Sequence, residues 1–351
     1  MKMKVLLIIL AILLLIVAAV VVVLNHPCFG RRMGKERRAR IEASPNWREG
    51  QFQNQIPTPQ LTGNTNWFSA VRKMMKGENR VPKEPIHAVK TDLKSLSADC
   101  DWLVWFGHSS YLFQLGGKRF LVDPLLKMEF PVSVMMHPFK GTDIYSPDDM
   151  PEIDYLIVTH EHWDHLDYAS LRDLRGKVQH VICPLGVAEY LEYWKYDKDI
   201  ITEMDWYEAF TSASLKITCL PTRHFSNRLF GQNKTLWASF MVEVEERKVY
   251  VGGDGGYDGR FKQIREQFGQ VDLAMMENGQ YNENWANIHL MPIDLEQAIL
   301  DLQAKQVFTV HHDKFSLAPH AWTEPDSVAQ AIAERDSIRL LDQPIGTVVY
   351  F

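Results

Sequence analysis

Cysteine is scarce: there are four, Cys28, Cys100, Cys183 and Cys219, in 351 residues, and no CxxC pair among them. A disulfide scaffold and a zinc ribbon are therefore excluded, since both need closely spaced cysteine pairs. A basic excess is missing as well. The chain carries 38 Lys and Arg against 44 Asp and Glu, a net charge of −6. It lacks the electrostatic footprint of a dedicated nucleic-acid binder, and no nucleic-acid partner is expected. No internal repeat and no low-complexity tract is visible, which removes solenoids and disordered polymers. With 46% hydrophobic and 23% charged residues, the composition is that of a globular protein with one large domain or two ordinary ones.

What the chain does have is a long hydrophobic run. Residues 5–24 are twenty apolar residues without interruption. As a helix they span about 30 Å, the thickness of a bilayer core. A cleaved signal peptide is the other reading. Against it, the run is long for a signal h-region, and no A-x-A site follows. Cys28 follows His26-Pro27, which does not resemble a lipoprotein processing site. The expectation is an uncleaved single-pass membrane anchor over residues 1–25. Lys2 and Lys4 precede the run, and Arg31, Arg32, Lys35, Arg37, Arg38 and Arg40 follow it with only Glu36 opposing. A Lys/Arg excess belongs on the cytoplasmic side, so the downstream domain is expected there. The same cluster suits contact with anionic headgroups.

Residues 26–95 read as an arm, basic and then irregular, broken by Pro45, Pro57, Pro59, Gly63, Pro82 and Pro85. Trp67, Phe68, Val71, Met74 and Met75 have the spacing of one short amphipathic helix. The arm links the anchor to a globular domain, with packing across that domain as a second role. From 96 to 351 short apolar runs alternate with turn signals and helical stretches. Hairpin-like strands come first, then strands mixed with helices. That order predicts an α/β fold of two sheets with helices packed outside them.

The chemistry concentrates in His160-Glu161-His162-Trp163-Asp164-His165, directly after the strand expected at 155–159. Four ligand-type side chains in six residues cannot all reach one ion from a regular element. In a loop leaving a strand they divide between two adjacent ions, and imidazole with carboxylate suits Zn²⁺, Fe or Mn. Three more groups stand just past expected strands: His224 after 216–220, Asp254 after 248–251, and His311-His312 after 307–310. Loops past strand ends are where an α/β scaffold gathers a site. The assignment is His160, His162 and His224 on one metal, Asp164, His165 and His311 on the other, and Asp254 bridging. Alternation points His311 and His312 opposite ways, so one of the two ligates, and spacing alone does not choose between them.

These motifs resemble the metallo-β-lactamase superfamily, and within it N-acylphosphatidylethanolamine-hydrolysing phospholipase D and its bacterial relatives. The likeness is carried by Gly107-His108-Ser109-Ser110, Phe120-Leu121-Val122-Asp123-Pro124, the loop from Thr159 to Asp167, Gly253-Asp254-Gly255-Gly256-Tyr257, Ile288-His289-Leu290-Met291-Pro292 and Val310-His311. Ser44-Pro45-Asn46-Trp47-Arg48-Glu49-Gly50 in the arm is similar to bacterial members. The resemblance implies a four-layer αβ/βα sandwich and two zinc ions, with iron or manganese also compatible. It also implies His311 rather than His312 as the ligand, Asp164 and Asp254 in the catalytic centre, and His289 as a histidine that assists the reaction. Asp123 resembles a group that orients a ligand histidine. The final motif departs from the family: His311-His312-Asp313-Lys314-Phe315 stands where the phospholipase has a pattern like His-Trp-Gly-Thr-Phe.

Other residues carry weaker expectations. His108 reads as a core histidine or a support for a ligand. Phe130, Val132, Val134, Met135 and Met136 suit core or an acyl groove. Tyr190, Tyr193, Trp194, Tyr196, Trp206 and Tyr207 suit a membrane interface or helix packing. Arg223 and Arg228 flank His224 and are candidates for a phosphate fork. The substrate pocket is expected near 127–145 and 185–206. The reading that follows is a membrane-anchored binuclear zinc hydrolase of a phospholipid phosphodiester, with a metal-bridging hydroxide attacking phosphorus. The alternatives are an acyl-bond hydrolase such as a lactonase or amidase, a non-catalytic anchored binding protein, and a mononuclear iron dioxygenase. A homodimer is compatible with all of them.

Overall fold

The computed structural model describes residues 2–62, 77–228 and 231–351. The short helix expected around Trp67–Met75 lies outside them. The chain begins with helix α1 (Lys2–Leu24), whose apolar side chains touch little else. Its span Met3–Leu24 has a mean hydropathy of 3.7 and is 0% buried. It is long and apolar enough to cross a membrane, and a signal sequence has the same properties.

The arm packs across the globular body. Helix α2 (Lys35–Glu42) places Ile41 in the main core, and the hairpin β1 (Trp47–Arg48) and β2 (Gln51–Phe52) adds Phe52. Five strands, β3 (Trp102–Trp105), β4 (Tyr111–Leu115), β5 (Lys118–Val122), β6 (Ile153–Ile157) and β7 (Val178–Pro184), are joined by β8 (Ile201–Met204) in a sheet closed at its far edge by the last strand. The second sheet contains β9 (Ala209–Ser212), β10 (Leu215–Leu220), β11 (Ser239–Val244), β12 (Arg247–Val251), β13 (Leu273–Glu277) and β14 (Gln306–Val310), and the last strand of the chain is β15 (Val348–Tyr350). The sheet orders are β15-β3-β4-β5-β6-β7-β8 and β14-β13-β12-β11-β10-β9. Each is mixed: β5 to β8 and β12 to β14 run parallel, the others antiparallel.

Alternation builds the layers. In β4, Tyr111, Phe113 and Leu115 face the other sheet while Leu112 faces outward; in β11, Phe240 and Val242 face inward while Met241 faces outward. Both faces are buried, so these strands read as nearly continuous apolar runs. Besides the short α3 (Val132–Met135), helices α4 (Tyr168–Leu174) and α5 (Ala188–Tyr193) cover the first sheet, and α6 (Arg260–Phe268), α7 (Pro292–Leu302) and α8 (Glu324–Asp336) cover the second. The result is the helix–sheet–sheet–helix sandwich expected from the sequence. The edge strands β8 and β9 were not: Ile201-Thr202-Glu203-Met204 and Ala209-Phe210-Thr211-Ser212 are half polar because one side of each is at the rim.

Candidate metal centre

The C-terminal ends of β5, β6, β10, β12, β13 and β14 meet at one rim of the sandwich. The β6 loop brings His160, His162, Asp164 and His165, and the loops after β10 and β12 add His224 and Asp254. His311 follows β14 directly. Two groups of four donors form, and Asp254 also makes a group of three with His289 and His311. His160, His162, His224 and Asp254 lie with their ligand atoms within 4.8 Å of one another, and so do His108, Asp164, His165 and His311.

In the first group His160 Nε2 and His162 Nδ1 are 2.9 Å apart, and His162 Nδ1 and His224 Nε2 3.2 Å. Asp254 Oδ2 is 3.9 Å from His160 Nε2 and 3.8 Å from His224 Nε2. A tetrahedral ion with ligands at about 2.05 Å has ligand–ligand edges of about 3.3 Å. Burial keeps these imidazoles neutral: it drives His160 and His224 well below the ordinary range and His162 down to about 4, against the pull of Asp164 in the last case. Neutral nitrogens are what a cation needs.

Asp254 faces both groups. Its Oδ2 is 3.2 Å from His165 Nε2, and its Oδ1 is 3.3 Å from His311 Nδ1. Despite burial, His165 and His311 hold its carboxyl well below the carboxylate range. His162 Nε2, His165 Nε2 and Asp254 Oδ1 are buried with no hydrogen-bond partner among the described residues. Such orphans are costly in an interior, and the set fits divalent cations.

The supports are equally specific. Asp123 accepts from Thr159 N at 2.8 Å and Thr159 Oγ1 at 2.6 Å, and lies 2.8 Å from His165 Nδ1. That fixes His165 with Nε2 inward. His224 Nδ1 meets Ile288 O at 2.8 Å, and Ser109 Oγ lies 2.8 Å from His311 Nδ1. His108 Nε2 contacts Asp164 Oδ2 at 2.8 Å, so this fully buried histidine belongs to the centre rather than to plain core. Two glycines bring the Asp254 loop in. Gly253 has φ +60 and a Cβ there would lie 2.8 Å from Ala238 O; at Gly255 it would lie 2.0 Å from Thr222 Oγ1.

His311 points into the centre. His312 points away, with Nδ1 3.3 Å from Asp326 Oδ1 and its ring 4.8 Å from that of Trp105. His289 stands beside the centre, its ring 5.3 Å from His224 and 5.5 Å from His311. Its Nδ1 pairs with Glu277 Oε1, and Glu277 Oε2 accepts from Gly255 N at 2.7 Å. Burial pushes the Glu277 carboxyl up to about 7, against the pull of His289. Glu277 ends a strand and has no ligand spacing around it, so no motif pointed to it. Asn54 was hidden for another reason: the arm crosses the centre, and Asn54 Nδ2 donates to His224 O at 2.7 Å.

Several weaker expectations are corrected. Arg223 is spent on Tyr257 O, Asn287 and the arm, and Arg228 is buried against the carbonyls of Cys28, Glu161 and Leu166. Arg223 is not a free phosphate fork, and Arg228 keeps only its buried Nη2 without a partner. A cavity of about 690 Å³ opens beside His224, lined by Gln53, Gln55, Pro57, Gln60, Phe225 and Asn233 among others. Its walls come from the arm and from His224, Phe225, Gln232 and Asn233. Phe130, Val134 and Met135 are largely exposed while Val132 and Met136 are buried. Of the clustered aromatics, Trp194, Tyr196 and Trp206 are core and Tyr207 is exposed.

Residues 118–312 match the family model of the β-lactamase superfamily domain. The chain is 32% identical over 311 residues to a Mycobacterium tuberculosis protein, covering 86% of this chain and 83% of that one. It is 26% identical to N-acyl-phosphatidylethanolamine-hydrolyzing phospholipase D 1 of Caenorhabditis elegans, covering 79% and 84%. Its fold is similar to CmlA, a diiron β-hydroxylase of Streptomyces venezuelae, with a TM-score of 0.55 at 17% identity over 72% of this chain and 54% of that one.

Proposed function

The chain belongs to the metallo-β-lactamase superfamily, and from that membership we propose a membrane-anchored phosphodiesterase that acts on a phospholipid. That it is a hydrolase of this superfamily, with phospholipase D relatives, follows from the comparisons. The fold implies a divalent metal, and zinc is not distinguished from iron, since CmlA is diiron. The observation that carries the finer reading is the pair of donor groups meeting at Asp254, with His165 Nε2 and Asp254 Oδ1 left as buried orphan atoms where they meet.

In this reading His160, His162 and His224 would hold one cation and Asp164, His165 and His311 the other, with Asp254 facing both. When bound, divalent cations would supply positive charge to a phosphoryl oxygen and acidify water. The chain's own residues do the rest. Asp123, Ile288 O and Ser109 orient His165, His224 and His311. His289, held at Nδ1 by Glu277, keeps Nε2 free to carry a proton to the leaving oxygen. Helix α1 holds the centre beside its lipid substrate as a single-pass anchor, with the catalytic domain in the cytoplasm.

One observation favours a second reading. The cavity beside His224 is lined by Gln53, Gln55, Gln60 and Asn233, a polar wall that suits a small acyl-bond substrate such as a lactone or amide. A product assay separates the two. Metal-replete protein in mixed micelles receives N-acylphosphatidylethanolamine and phosphatidylethanolamine, with Asp254→Asn as control. Phosphatidic acid and N-acylethanolamine, absent with the variant, are the expected products by mass spectrometry. Intact lipid in the presence of two bound metal equivalents refutes the phosphodiesterase reading for these lipids.

A further inference from the structure

A second cavity, of about 670 Å³, lies away from the donor groups, between the end of α1, the arm and the outer side of the ligand loop. Its apolar lining includes Leu24, Phe29, Met33 and Trp47, and its cationic lining includes Arg32, Arg38 and Lys234. The volume is that of an ordinary small-ligand site. We propose that this cavity seats the headgroup of an anionic phospholipid drawn from the bilayer around α1, its phosphate held by Arg32 and Arg38. The proposal rests on the anchor reading above.

Three observations carry it. The first is how the basic cluster is divided. Arg31 pairs with Glu189 at 2.6 Å, Arg37 with Glu189, Glu192 and Glu203 at 2.5, 2.5 and 3.1 Å, and Arg40 with Glu208 at 3.0 Å. These three fasten the arm to α5, β8 and the β8–β9 turn, and their charge is neutralised. Arg32 and Arg38 have no acidic partner among the described residues, and both line the cavity. A guanidinium fork matches a phosphate in geometry as well as charge.

The second is depth. Leu24 ends the membrane-length helix and itself lines the cavity. A cavity at the end of a spanning helix lies at the headgroup level, where Trp side chains such as Trp47 settle. The third is charge. The chain as a whole is at −6, yet Arg32, Arg38 and Lys234 outnumber Glu42 here, and the buried Glu161 is occupied by the Tyr190 hydroxyl at 2.8 Å. The cationic face is local and turned toward the bilayer. Glu161 stands between His160 and His162, so a lipid in this cavity shares a wall with the ligand loop.

The test uses the full chain in nanodiscs of phosphatidylcholine with a minor fraction of phosphatidylglycerol, and native mass spectrometry counts the lipids retained on release. The expected result is one phosphatidylglycerol per chain, retained over phosphatidylcholine. The double variant Arg32→Gln/Arg38→Gln should weaken that retention about 30-fold, the worth of two interfacial cations. Both side chains are exposed, so folding should survive, and Arg32→Lys/Arg38→Lys should retain part of the binding. Lys262→Gln/Arg339→Gln removes the same charge far from the cavity and should change nothing. Equal retention by the first variant, or equal loss in the distant one, overturns the site. Alkaline carbonate extraction is run in parallel. Release of the chain from membranes overturns the anchor and this site together, whereas a chain that stays inserted without selective retention overturns the lipid site alone.

Discussion

Replacing Asn54 by alanine tests whether the arm is part of the metal centre. Asn54 Nδ2 donates to His224 O at 2.7 Å, and its Oδ1 accepts from His224 N at 3.3 Å and from Trp237 Nε1 at 3.2 Å. Alanine removes all three bonds. At about 0.5–1.5 kcal/mol net each, and with water able to reach a half-buried site, the loss is about 1–2 kcal/mol. The part that falls on the position of His224 is paid in metal affinity, and loss of such supports lowers affinity by about 10–100-fold. Zinc titration against a competing chromogenic chelator resolves the two equivalents. Asn54→Ala should weaken the step that uses His224 and leave the other in place. Asn54→Asp keeps an acceptor but turns a carboxylate oxygen toward the His224 carbonyl, so it should be no better than alanine. Wild-type affinity for both equivalents in Asn54→Ala, alongside a lowered melting temperature, would show that Asn54 fastens the arm only and would refute the argument.

Asp123→Asn should cost about 3 kcal/mol in urea unfolding, because it leaves buried Thr159 and His165 donors facing an amide. Gly253→Ala should lower stability by about 1–3 kcal/mol, from φ +60 and the approach to Ala238 O, while Gly259→Ala, with nothing within 4 Å, should be close to neutral in the same melts. Arg37→Ala should release the arm, seen as lost hydrogen-exchange protection in α2. Acid should do the same: burial opposes ionisation of Glu189, but Arg31 and Arg37 hold its carboxyl below the ordinary 4.5. That contribution is therefore complete above 4.5 and lost as pH falls through the lower folded value. Protection of α2 unchanged by either perturbation would show that apolar packing alone holds the arm.

The parts of this molecule that sequence reveals are those where chemistry and local pattern coincide. The loop 160–165 puts ligand-type residues at short spacing after a clear apolar strand, and His224, Asp254 and His311 repeat that context, so the groups that meet in space are visible one at a time. Both sheets were legible for the same reason, since strands buried on two faces read as apolar runs. The edge strands β8 and β9 were not, because one side of each meets solvent and the pattern dissolves. Glu277 and Asn54 carry no motif; their roles exist only because β13 ends under His289 and the arm crosses His224. Arg223 and Arg228 show the converse. Their spacing around His224 invites a phosphate, but neighbouring oxygens claim Arg223 and the Nε and Nη1 of Arg228, and those positions are invisible in a residue string.

The short turn after α1 has a mechanical consequence. Pro27–Phe29 docks at once: Trp194 Nε1 donates to Pro27 O at 2.8 Å, Arg228 Nε to Cys28 O at 2.8 Å, and the Phe29 ring lies 5.4 Å from that of Trp163, inside the ligand loop. Only Asn25 and His26 separate the end of α1 from that docking, a reach of about 10 Å when fully extended. With α1 in a bilayer, such a tether has almost no slack. The catalytic rim would ride at a fixed height and tilt above its own leaflet, unable to swing out to a vesicle or a neighbouring membrane. For the lipid substrate proposed above, turnover would then be confined to molecules diffusing in the same leaflet, and its rate would scale with their density in that plane rather than with their concentration in the surrounding volume.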